Sequence, residues 1–292
     1  MEVEDYIGYV ASEGELFASA AEQGQLGADV PACPGWDMRE LVRHLGFIHL
    51  WAAGHVAFPH PEPDDAEELD DLAEYWSDLA GSWPEDAELV RWYRDTNANL
   101  VRVLEAAPAD LECFTFLPAP SPLAMWARRQ ASETAIHRFD AENARGIVTR
   151  FDPALAADAL DEMLCGFAPR PRELAITADQ LIQVHAEDTD DHWYLTIEPE
   201  KITTSRHGGD ADLTLSGTAA ALYLLLWNRA TDSNVAMSGD RDLMDLWHDN
   251  VQIRWSWRPP DPERTRTSRN RAPCRRWKTL QSAESSRSMQ GW

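Results

Sequence analysis

The hydrophobic period of the chain changes once, near residue 170, and that change most narrows what it can fold into. Before it, apolar residues recur every three to four positions, the repeat of an amphipathic helix. After it, short β-branched and aromatic runs alternate with turn residues, the pattern of strands. Tyr6, Val10, Leu16, Phe17 and Ala20 predict a first helix over 5–23, interrupted by Gly8 and Gly14. Residues 30–36, with two prolines and a glycine, read as a turn. Asp37 with Glu40 three residues on predicts a capping box. The helix it opens should run to about His55, with Leu41, His44, Leu45, Ile48 and Ala52 on one stripe. A third helix is expected over 86–107. A fourth should begin at Pro122 and run to about Ala144, and a fifth, capped by Asp152, should cover 153–167.

Beyond a proline-bearing linker at 168–172, strands are expected at 181–186, 193–197, 201–205 and 211–215. Helices should follow over 218–229 and 241–249, with a last strand at 251–257. The expected fold class is therefore α followed by α+β: a helical bundle over 1–170 and a small α+β domain over 171–257. Residues 258–292 show no periodicity and form a separate tail.

Charge sharpens that division. The chain carries 26 Lys+Arg against 50 Asp+Glu, a net charge of −24. Residues 258–292 hold nine basic and three acidic side chains, so the body before them stands at −30. Such a body repels phosphate backbones, and no nucleic-acid partner is expected. The basic, Ser- and Pro-containing tail reads as disordered rather than as a nucleic-acid arm. The acidic, proline-flanked stretch 58–84 reads as a solvated connection. No run of about 18 apolar residues occurs, so no transmembrane helix is expected. The acidic start at residues 1–6 does not resemble a secretory signal, and the four scattered cysteines form no CxxC pair. A reducing, cytoplasmic setting is expected.

Within the fourth predicted helix, Glu133 and His137 are four residues apart and share a face. Both could reach one cation, and His44 on the inward stripe of the second helix is the natural third donor. Two histidines and a carboxylate from facing helices make a recurrent divalent-metal set. Spacing alone also fits a surface Glu–His contact and a satisfied core histidine. Cys33 reads as a structural thiol in its turn, and Trp36 and Trp51 as core or pocket wall. His49, five residues on, falls off the face of His44, and His55 lies too far along the helix to be a first choice. Asp140 and Glu142 are either acceptors that orient a ligand histidine or solvated groups. His185, His192, His207 and His248 show no metal-ligand spacing among themselves.

The neighbouring residues add a resemblance. Pro31-Ala-Cys-Pro-Gly-Trp36 followed by Leu41-Val-Arg-His-Leu-Gly46 resembles the opening signature of the mycothiol-dependent maleylpyruvate isomerase family. The run Arg-Arg-Gln-x-x-Glu-x-x-x-His-Arg-x-Asp at 128–140 is similar to its second signature. Leu215-Ser-Gly-Thr-Ala219 and Leu224-Leu-Leu-Trp-Asn-Arg229 look like its C-terminal domain. The resemblance covers about 1–257 and implies a DinB-like four-helix bundle followed by a sterol-carrier-like (SCP2-like) α+β domain. It implies a zinc site on His44, Glu133 and His137, with mycothiol as thiol cosubstrate. Arg229 matches the family's activity-linked arginine more loosely, and equally fits a helix-end arginine favoured by the dipole.

The implied activity is isomerisation or S-transfer on a small electrophile such as maleylpyruvate, by a monomer or homodimer with no membrane partner. The competing reading is a non-catalytic, metal-stabilised binding protein that uses its back domain.

Overall fold

The structure is a computed structural model that describes residues 1–57, 83–170, 173–174, 176, 178–229 and 234–251. The acidic connection, the tail and all but the first residue of the predicted strand 251–257 lie outside these residues. Val251 itself caps the last helix, its amide donating to Trp247 O at 2.7 Å.

Four long helices make the front of the molecule: α1 (Val3–Gln23), α2 (Met38–Ala57), α3 (Asp86–Ala106) and α4 (Pro122–Asn143). Their starts follow from local chemistry. Asp37 accepts the Glu40 amide at 2.9 Å while Glu40 accepts the Asp37 amide at 2.9 Å, closing the expected capping box. Ser121 caps α4 ahead of Pro122, and Asp152 caps α5 (Pro153–Glu162) through the Ala154 and Leu155 amides. The chain after α5 continues as a wider π turn over Met163–Phe167. Gly8 and Gly14 do not interrupt α1, because packing offsets their poor helix propensity.

In the bundle, α1 lies against α4 and α3, and α2 against α3 and α4. The α2–α3 crossing is close because Gly46 faces the Trp92 ring: a Cβ there would fall 2.3 Å from that ring. Gly14 allows the same approach on α1, where the Asn97 amide fills the space and donates to Val10 O at 3.0 Å.

The back is a five-stranded sheet in the order β3-β2-β1-β4-β5, built from β1 (Gln180–Ala186), β2 (Asp191–Ile197), β3 (Ile202–Ser205), β4 (Leu213–Gly217) and β5 (Ala236–Gly239). All neighbouring pairs are antiparallel except the parallel β1–β4 pair. Alternation sends Ile182, Val184, Trp193 and Leu195 inward and leaves His185 and His192 on the other face. Helices α6 (Ala219–Leu226) and α7 (Asp242–Asn250) complete this part. The front is thus helical and the back α+β, as expected. Strand β5 had no counterpart in the sequence reading, since Ala236-Met-Ser-Gly239 at the sheet edge is mostly exposed and lacks an apolar alternation.

One apolar core runs through both parts. Trp126, Leu155, Leu160 and Phe167 from the helices join Trp193, Leu195, Leu222 and Trp247 from the back. Polar ties reinforce the junction: the Trp193 indole donates to Asp161 at 2.8 Å, and the Tyr223 hydroxyl of α6 donates to Ser132 O on α4 at 3.1 Å.

Gly46→Ala should lower stability by about 1–3 kcal/mol through overpacking against Trp92, although alanine is the better helix former. Thermal unfolding of the variant checks this; an unchanged or raised Tm would contradict it.

Candidate metal centre

Helix α4 is buried on almost every side, yet it carries Arg129, Gln130, Glu133, Thr134, His137, Arg138 and Asp140. A buried charge must find a partner; Arg138 pairs with Glu13 of α1, while Arg129, Glu133, His137 and Asp140 form a network around His44. His137 Nε2 lies 3.2 Å and His44 Nε2 3.3 Å from the same oxygen, Glu133 Oε1. The two imidazole rings meet edge to face with centroids 4.9 Å apart, and Trp36 lies 4.9 Å from His44 on its outer side. Thus α2 and α4 bring together the three residues singled out by spacing. Their donor atoms lie within 4.8 Å of one another.

The far atoms of these groups are held in turn. His137 Nδ1 lies 2.8 Å from Asp140 Oδ2, a contact that orients the ring with Nε2 toward Glu133 and His44. Asp140, fully buried rather than solvated, also accepts Arg229 Nε at 2.9 Å and the Cys33 thiol at 3.3 Å. Glu133 Oε2 accepts a short hydrogen bond from Arg129, whose other terminal nitrogen binds Glu162 of α5. Glu142 takes no part in this network; it accepts the Thr149 hydroxyl at 2.5 Å.

Arg229 comes from the back of the molecule. Helix α6 ends in a Schellman motif: Asn228 adopts φ +57°, its amide donates to Leu225 O at 3.0 Å, and the Arg229 amide donates to Leu224 O at 2.8 Å. The reversal carries Arg229 away from the α6 axis and onto Asp140 of α4. Its guanidinium therefore neutralises a buried carboxylate, and it also reaches the helix-end carbonyl of Trp227 at 3.5 Å. Cys33, in the turn before α2, sits beside this pair with Sγ 3.8 Å from Arg229 Nη2.

Electrostatics follow from this arrangement. Burial opposes ionisation of Glu133, but Arg129 and His137 outweigh it and hold the carboxyl well below its ordinary range. Burial likewise opposes protonation of His137, and Glu133 with Asp140 overcomes it, so its pKa is raised well above the usual imidazole value. Burial wins at His44, whose pKa is lowered. His49, one turn beyond and directed to Thr134 Oγ1 at 3.0 Å, is pushed down to about 3 by burial. It lies outside the three-residue cluster, as its position on the helix implied. His55 stacks on Trp126, also outside it.

Two models of known families match the chain. The mycothiol maleylpyruvate isomerase N-terminal domain matches residues 10–142, and the C-terminal domain of the same family matches 154–246. The chain belongs to the mycothiol maleylpyruvate isomerase family. Its fold resembles the crystal structure of the mycothiol-dependent maleylpyruvate isomerase, with TM-score 0.57 and 13% identity over 82% of this chain and 93% of that one. A histidine-to-alanine mutant of that enzyme matches with TM-score 0.56 and 14% identity over the same shares. At such identity the likeness concerns the fold. A comparison with curated proteins found no match. None of the described helices is long and apolar enough to cross a membrane.

Arg129 is the member of the network that a search by histidine spacing passes over. Its signal was present, four residues before Glu133 on the same helical face. Arg129→Met should destabilise the fold by about 3–5 kcal/mol, because it removes the strongest counter-charge of Glu133 and Glu162 in the interior. Urea unfolding of wild type and variant checks this.

The lowered pKa of His49 makes stability depend on pH. The unfolded chain takes up a proton below about 6.5 and the folded chain does not until about 3, so this contribution to stability is lost as pH falls between them. At pH 4.5 it should cost about 2–3 kcal/mol relative to pH 7. His49→Gln should remove that share of the acid sensitivity, read as the difference between unfolding free energies at the two pH values.

Proposed function

We propose that this protein is a zinc-dependent, mycothiol-using isomerase or S-transferase acting on a small electrophile such as maleylpyruvate. The observation that carries the reading is the convergence of His44 Nε2, His137 Nε2 and Glu133 Oε1, with the remaining polar atoms of Glu133 and His137 held by Arg129 and Asp140. The donor set fits the ion: two ligands about 2.1 Å from a tetrahedral metal are separated by about 3.4 Å, close to the 3.2 and 3.3 Å separations here. Two imidazoles and one carboxylate suit zinc, and three protein ligands leave room for a reacting group.

Zinc held by His44, Glu133 and His137 would supply the Lewis acidity that keeps a thiol sulfur deprotonated at neutral pH. The chain's own residues do the rest. Asp140 fixes the tautomer and orientation of His137. Arg129 fixes Glu133, leaving Oε1 directed to the two histidines. Arg229, held by Asp140 and 16% exposed in its side chain, offers a cation to an anionic substrate group at the edge of the cluster. A thiolate adding to a cis double bond leaves a single bond about which the substrate rotates; expulsion of the same thiolate then gives the trans isomer. If the adduct is released instead, the outcome is S-transfer.

In this reading residues 1–170 form the metal-binding bundle, 171–257 the α+β domain that contributes Arg229, and 258–292 a basic tail. The protein works in the cytoplasm as a monomer or homodimer, with mycothiol and a small electrophile as its partners.

Elemental analysis of gently purified protein should give one tightly held zinc, absent from His44→Ala and His137→Ala variants. Asp140→Asn should weaken zinc binding by about 10–100-fold. Turnover of maleylpyruvate or a related electrophile should require both zinc and mycothiol. Tight zinc without thiol-dependent turnover of any electrophile would instead favour a metal-stabilised binding protein.

A further inference from the structure

The geometry points to a second divalent-metal site, on the face of the back sheet opposite the core, formed by His185, His192 and Asp190. The histidines stand seven positions apart, too far along one helix or strand to share an ion. The β1–β2 hairpin makes them direct partners in register. Their rings lie 4.0 Å apart and 9° from parallel. Spacing along the chain does not reveal this pair, because the relevant distance is across the ladder.

The third group comes from the turn. Asp190 has φ +57°, the left-handed conformation that aspartate tolerates better than most residues. Its Oδ1 is 3.6 Å from His185 Nε2 and 3.7 Å from His192 Nε2. Both separations are too long for hydrogen bonds and match two ligands placed about 2.1 Å from one ion at an angle near 120°. His185 Nε2 is shielded from solvent and has no hydrogen-bond partner, a cost that an ion would remove. Two neighbouring carboxylates, Asp188 and Asp191, are engaged elsewhere. Asp188 accepts the Ala219 amide at 2.8 Å, and Asp191 accepts Arg206 at 3.2 Å.

The two imidazoles and one carboxylate select a first-row transition ion such as Zn²⁺ over Mg²⁺ or Ca²⁺. A ring nitrogen's lone pair lies in the ring plane, so binding requires both rings to turn out of their parallel stack. The terminal torsion involved is broad, which permits that turn. Side chains of His185 and His192 are 28% and 36% exposed, so the site is weaker and more accessible than the buried centre in the bundle.

The test is Zn²⁺ titration of chelator-stripped, full-length protein by calorimetry, with the histidine ring resonances followed by NMR. Wild type should bind two ions of different affinity, and His44→Ala/His137→Ala protein should retain the weaker one with shifts at His185 and His192. His185→Gln/His192→Gln should lose that ion alone, and Asp190→Asn should weaken it by about tenfold. The proposal is overturned if folded His44→Ala/His137→Ala protein binds no stoichiometric Zn²⁺, or if the weaker ion survives His185→Gln/His192→Gln. Should the bundle variant not fold, the comparison of wild type with His185→Gln/His192→Gln still decides, by whether the stoichiometry drops by one. Wild-type protein that binds the weak ion alone would count against the bundle centre and leave the hairpin site standing.

Discussion

The bond between Arg129 and Glu133 is the interaction on which this architecture turns. Helix α4 passes through the middle of the molecule, and a helix in that position is normally apolar all round. Here it carries charged and polar side chains in successive turns, and every one needs compensation within the interior. Arg129 supplies it at two points, neutralising Glu133 on its own helix and Glu162 on α5. Without that pairing Glu133 would be driven toward its neutral form by burial. It would then face two histidines as a weak acceptor rather than as an anion. The bundle, its junction with α5 and the charge of the candidate metal centre therefore rest on one guanidinium.

Much of the fold was legible in the sequence, for physical reasons that can be named. Helix starts were readable because Asp37 and Asp152 satisfy exposed amides within a few residues and Pro122 suits a first helical turn, effects that need no tertiary structure. The period change was readable because the β1 and β2 faces alternate between core and outer surface. Strand β5 was not, since its order comes from pairing with β4 rather than from its own side chains. The glycines of α1 misled for the opposite reason: what decides Gly14 is the Asn97 amide from another helix.

The candidate centre divides in the same way. Glu133 and His137 were visible through helical spacing, and the flanking signatures pointed to His44. The groups that orient them were partly hidden. Asp140 was one of two carboxylates that spacing could not separate. Cys33 looked like a turn thiol with no further contact, yet its turn brings it to Asp140, 107 residues away in sequence. Neither contact can be inferred from local pattern, because each depends on how the turn before α2 and the end of α6 are brought against α4.

The Schellman turn at Asn228 has a consequence for how the centre can be controlled. The charge that Arg229 contributes is delivered by the last turn of an eight-residue helix, held by two backbone hydrogen bonds and one left-handed residue. Fraying of that turn would withdraw the guanidinium from Asp140 while the bundle, its histidines and its glutamate stayed folded. The site thus has two levels of stability, a His–Glu–His cluster held within the core and a cationic arm only as durable as one helix terminus. A perturbation at the end of α6 would reach Asp140 without touching that cluster's own residues, as a local equilibrium rather than a global one.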